Sequence, residues 1–68
     1  MTHNTVAVPI ERLQLPAFVE YHGRVYRAWH RLPVVQPGGF VLDATDTHLN
    51  RHALLYACED AMVLKVVG

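Results

Sequence analysis

Cysteine is nearly missing from this sequence: Cys58 stands alone among 68 residues. A single thiol excludes an intrachain disulfide, the staple of many small domains. It also fits a reducing, cytoplasmic setting. Charge is scarce, at 18% of residues with a formal net charge of zero, where about a quarter is usual. A domain that binds nucleic acid mainly through phosphates carries a basic excess, and this chain has none. No apolar run is long enough to span a membrane, and residues 1–4 lack the charged and apolar regions of a signal peptide. G-x-S-x-G, P-loop and dinucleotide motifs are absent, as is any Cys-x-x-Cys pair, so no cofactor is implied. Repeats, low-complexity stretches and interdomain linkers are missing too. Residues 1–68 therefore read as one small domain.

What is present is a dense set of turn signals between short β-prone runs. Pro9, Pro16, His22-Gly23, Pro33, Pro37-Gly38-Gly39 and Glu59-Asp60 divide the chain. The runs between them are rich in Val, Leu, Phe, Tyr and Trp, which favour strands. Residues 5–8 read as an edge strand, because the following Pro9 cannot donate to a ladder. Residues 10–15 form either one helical turn or a connector.

The clearest element is a hairpin. Residues 18–21 and 24–27 flank His22-Gly23, a dipeptide suited to a type I′ turn. That turn sets Tyr21 opposite Arg24, Val19 opposite Tyr26 and Ala17 opposite Ala28. The other face then carries Phe18, Glu20, Val25, Arg27 and Trp29. A helix over 24–32 is the competing pattern, with Val25, Ala28, Trp29 and Leu32 on one side.

Residues 33–39 read as a loop with Pro37-Gly38 in a type II turn. Residues 40–42 read as a strand ending at Asp43. Asp46-Thr47 suits the cap of a helical turn running to Arg51. Residues 53–58 are a strand or the end of a helix begun at Asp46, with the turn spacing favouring strand. Glu59-Asp60 then turns into a final strand over 62–67, as its hairpin partner.

The fold class that follows is mainly β. Four to six short antiparallel strands form a small open barrel or strongly bent sheet, with one helical turn near residues 46–52. The alternative is an α+β fold with a helix over 46–57 on a three- or four-stranded sheet.

A chain this short buries only about 60% of the surface that its unfolded form exposes. With 51% hydrophobic residues, some apolar area stays on the surface, and such area marks interfaces. Self-association, as a homodimer, is the expected support.

Charge is segregated along the chain. Arg12, Arg24, Arg27 and Arg31 outweigh Glu20 in the first half, and Asp43, Asp46, Glu59 and Asp60 outweigh Arg51 in the second. The two segments are expected on different parts of the surface.

The binding candidates are Arg24, Tyr26, Arg27, Trp29, His30 and Arg31. Arginines hold phosphates or carboxylates, and aromatics stack on bases or anchor protein interfaces. The plainer alternative makes Trp29 and Val25 core and the arginines a solvated face. His48 and His52, four apart, are weak metal candidates that need a helix to share a face. Cys58 reads as a small buried hydrophobe. No catalytic residue is assigned.

Three functions follow in order of preference. The first is a non-enzymatic interaction module that self-associates and docks on another macromolecule. The second is a nucleic-acid-binding barrel using residues 24–31. The third is a metal or enzyme site formed between subunits.

Overall fold

A computed structural model describes residues 4–34, 38–58 and 60–67. Six strands form one antiparallel sheet: β1 (Thr5–Pro9), β2 (Ala17–Tyr21), β3 (Arg24–Val34), β4 (Gly39–Asp46), β5 (Arg51–Cys58) and β6 (Met62–Val66). Their order is β1-β6-β2-β3-β4-β5. The sheet curls strongly into a half-barrel, and the described residues hold one helical element, a 3-10 turn at Ile10–Arg12. The mainly β class is therefore correct, and the helix over 46–57 is not formed.

The β2–β3 hairpin has the register that the His22-Gly23 turn dictates, from Tyr21 opposite Arg24 to Ala17 opposite Ala28. Both turn residues have positive φ, 51° at His22 and 78° at Gly23, as a type I′ turn requires. The helical pattern over 24–32 loses to this turn. Past Ala28 the β3–β4 ladder slips by a bulge, so that Ala28 faces Ala44 but His30 faces Asp43. One extra residue shifts the alternation of every side chain beyond it.

Four boundaries differ from the sequence expectations. Pro33 and Val34 belong to β3, opposite Phe40 and Gly39. Here β3 has only β4 beside it, and a proline is tolerated in such an edge segment. Pro37 lies outside the described residues. β4 runs on through Asp43 to Asp46, because β5 pairs with its whole length. The helical turn expected near 46–52 is reduced to a hydrogen-bonded turn at 47–50. Finally, β6 pairs with β1 and β2 rather than with β5. The turn before β6 is closed by the Ala61 N–H on the Cys58 carbonyl at 3.0 Å, and the two strands then diverge.

The core lies on the concave side. Val19, Ala28, Leu42, Ala44 and Leu55 line it from the sheet, and Ile10 and Leu13 enter it from the connector after β1. Ile10 is fully buried. Its N–H bonds the Ala61 carbonyl at 3.0 Å. Arg31, turned inward by the bulge, donates from Nη1 to the carbonyls of Ile10 and Leu13 at 2.9 and 2.7 Å.

Asp46 fixes the β4–β5 turn. Its Oδ1 accepts from the His48 and Leu49 N–H groups at 2.9 and 3.2 Å, and its Oδ2 accepts from Arg24 Nη1 at 3.1 Å. The residue is only 4% exposed. Burial alone would raise its pKa, but the Leu49 and His48 amides and the Arg24 guanidinium outweigh this and hold it below the ordinary 3.8. A lowered carboxyl stabilises the fold above its ordinary pKa, and that contribution is lost as pH falls through the lower folded-state value. The melting temperature should therefore drop on acidification below about pH 4. Asp46→Asn should be less stable at neutral pH and should lose this part of the drop. An unchanged acid profile in the variant would show that Asp46 is not the group responsible.

Candidate functional site

Residues directly opposite in an antiparallel pair share a face, so the register defines what the convex side displays. One row crosses four strands as Phe18, Arg27, Thr45 and His52. A second crosses three as His30, Asp43 and Leu54, and a third as Leu32, Val41 and Tyr56. Trp29, the bulged residue, lies beside the first row: its Nε1 donates to Thr45 Oγ1 at 3.1 Å.

At the centre of the first row the Arg27 guanidinium is flanked by two rings. It lies 5.2 Å from the Phe18 centroid and 4.6 Å from that of Trp29, both within cation–π reach. His52 pairs with Asp43 across β4 and β5. Toward the other end, Val41 is only 7% exposed yet lies outside the core cluster, because it sits between Leu32 and Tyr56 on the convex side. Tyr56 is 65% exposed and Leu54 51%.

The six sequence candidates do not form one surface. Arg27, Trp29 and His30 share the convex face. Arg31 points inward and Tyr26 packs against the core, its ring edge-on to Tyr21 at 6.2 Å. Arg24 is bound to Asp46 at the end of the sheet. The bulge after Ala28 is the physical cause, since it sends Arg31 to the side opposite Arg27. The charge segments are likewise not apart: β3 lies directly beside β4, with Arg24 on Asp46 and His30 opposite Asp43.

Trp29 is not core. It remains 41% exposed, so Trp29→Ala should cost only about 1–2 kcal/mol, from partial burial and one exposed hydrogen bond. Chemical denaturation measures this; the loss of about 3–5 kcal/mol typical of a core tryptophan would contradict the placement. Cys58 is also exposed, at the end of β5, and not the buried hydrophobe expected. Phe18 was legible as a neighbour of Arg27 through the hairpin register. Leu32, Leu54 and Tyr56 are surface residues that the hairpin register does not disclose. For Leu54 and Tyr56 the signal is the alternation of β5, which counts only once residues 51–58 are known to be a strand, and Leu32 is turned outward only by the bulge after Ala28.

His48 lies in the 47–50 turn and His52 in β5, so the helical spacing that would pair them does not exist. Among the described residues no group of three or more His, Cys, Asp or Glu side chains converges as metal ligands do.

A cavity of about 390 Å³ opens where β5 diverges from β6 and the end of β2. Leu42, Leu55, Ala57, Val63 and Leu64 give it an apolar lining, and among the described residues its Glu20, His22 and Cys58 side chains make no hydrogen bond to one another. Comparison with family models, curated proteins and solved structures finds no match to this chain. No helix among the described residues is long and apolar enough to cross a membrane.

Proposed function

We propose that this chain is a small non-enzymatic binding module, acting in the cytoplasm, that self-associates and docks on another macromolecule. The observation that carries the proposal is the convex face. It sets Phe18, Arg27 and Trp29 in contact and extends through Leu54 to Leu32 and Tyr56. Exposed aromatic and Leu side chains around a half-buried Arg27, over one continuous face, have the chemistry of a protein interface. Arg27 between two rings resembles the central anchors of such interfaces.

The second function, nucleic-acid binding, draws on the same trio, since Phe18 and Trp29 can stack on bases while Arg27 meets a phosphate. Zero net charge and the engagement of Arg24 and Arg31 within the fold favour the protein partner.

Trp29 is the only tryptophan, so its fluorescence reports on this face alone. Titration with mixed oligonucleotides at physiological salt should leave it unchanged. A photo-crosslinking side chain at Leu32 should trap a protein partner in expressing cells, whereas one at Glu11 should not. Arg27→Glu should reduce the adduct severalfold and leave the fold intact, because Arg27 is half-buried on the convex face and lies outside the core cluster. A saturable, salt-dependent fluorescence change with oligonucleotide would move the assignment to nucleic acid. Equal crosslinking from Leu32 and Glu11 would remove the convex face from consideration.

A further inference from the structure

The two edges of the sheet are unequal. β1 has five residues and ends in Pro9, which has no N–H to offer. β5 has eight residues, Arg51–Cys58, and contains neither proline nor lysine. Among the described residues its outer backbone edge has no strand beside it. Proteins normally protect such an edge with charge, proline or a covering segment, because it is a template for pairing. Here the one formally charged residue of the strand is Arg51, at its very start.

The sequence of β5 says what fits there. Read about Leu55, the run Ala53-Leu54-Leu55-Tyr56-Ala57 is close to a palindrome. An identical strand laid antiparallel with Leu55 on the axis sets Ala53 opposite Ala57, Leu54 opposite Tyr56 and Leu55 opposite itself. A twofold axis normal to the sheet keeps each side chain on its own face, so both Leu54–Tyr56 pairs fall on the convex side. These are among the most exposed apolar residues of the molecule. Charge agrees with shape, because the Arg51 end of one strand meets the end followed by Asp60 in the other. The following strand does not cover this edge either, because β6 pairs with β1 and β2 and a cavity of about 390 Å³ lies between it and the end of β5.

We infer that β5 is the edge along which a second copy of this chain pairs, antiparallel about Leu55, joining two half-barrels into one continuous sheet. The inference rests on the self-association proposed above and names the surface responsible. It leaves most of the Phe18–Arg27–Trp29 region free for a different partner.

Light scattering and sedimentation at micromolar concentration test it. The wild-type chain should have twice its 7.7 kDa monomer mass. Tyr56→Lys places a charge on the exposed edge and should weaken the dimer by at least about tenfold, giving monomer with an unchanged circular dichroism spectrum. Arg51→Glu should weaken it about three- to tenfold, since the pair occurs twice in the dimer. Adding Asp60→Lys to that variant should restore much of the loss. Both positions are exposed, so this charge exchange decides the matter even if Tyr56→Lys fails to fold. A wild-type monomer at all concentrations overturns self-association and edge pairing together. A dimer indifferent to the charge exchange and to Tyr56→Lys, but dissociated by Arg27→Glu, overturns the edge alone and leaves self-association standing.

Discussion

Replacing Arg31 with Ala should destabilise the fold by about 2–4 kcal/mol, measured by urea unfolding at neutral pH. The guanidinium is part-buried and donates to two carbonyls, those of Ile10 and Leu13, at 2.9 and 2.7 Å. A hydrogen bond from a charged donor contributes about 1.5–3 kcal/mol, and a buried carbonyl left without a donor adds its own desolvation cost. The two bonds share one side chain, so they do not simply add. The connector they hold carries Ile10 and Leu13, which complete the core on the concave side. Arg31→Lys should fall between wild type and Ala, because one ammonium replaces a planar fork. Arg27→Ala is the control. Arg27 lies on the convex face over two rings, and its removal should cost about 1 kcal/mol or less. Equal losses for Arg31→Ala and Arg27→Ala would show that the bonds to the connector carry no special share of stability.

That contrast between two arginines four positions apart also marks the limit of what the sequence discloses. The His22-Gly23 turn fixes the β2–β3 register through geometry local to two residues, so the hairpin and the Phe18–Arg27–Trp29 neighbourhood can be read directly from the chain. The bulge after Ala28 has no comparable signal. It arises where β3 pairs with β4, and it moves Arg31 from the expected surface to the interior. An arginine between His30 and Leu32 gives no hint that two carbonyls await it inside. The same holds for β4. Asp43 and Asp46 look like a strand end and a cap, and Asp46 is indeed the cap. Asp43 is nevertheless carried within the sheet, because its side chain is on the convex side and bonded to His52.

The final strand shows a different gap. Its existence over residues 62–66 is plain from its composition, but its neighbours are not. A short turn after β5 suggests a hairpin, whereas the curl of the sheet carries β6 across to β2 and β1. Closure of the sheet by β6 is a tertiary effect with no local code. It is also what leaves β5 as an edge and opens the cavity beside it. The β5 edge and its cavity therefore depend on a connection that local patterns assign wrongly.

Gly39→Ala should cost about 2–4 kcal/mol and loosen one end of the β4–β5 ladder. Gly39 has φ of 144°, a conformation that residues with a Cβ rarely adopt. A Cβ there would overlap the Ala57 carbonyl oxygen and lie 3.3 Å from the Cys58 Cα. Both are backbone atoms of the facing strand, so no side-chain rotation relieves the contact. Backbone strain of this kind costs about 1–3 kcal/mol, and separating the strands forfeits the Gly39–Cys58 pairing as well. Gly23→Ala is the informative comparison. That glycine has φ of 78° but nothing within 4 Å of a built Cβ, so only the left-handed conformation is penalised, by about 1–2 kcal/mol. Urea unfolding should rank Gly39→Ala as the more damaging of the two. Amide exchange should quicken at residues 57–58 in Gly39→Ala and stay unchanged there in Gly23→Ala. Since residues 57–58 end the edge along which a second copy is inferred to pair, the dimer should weaken in Gly39→Ala and persist in Gly23→Ala. Equal stability of the two variants would mean that β4 and β5 separate at this end without cost.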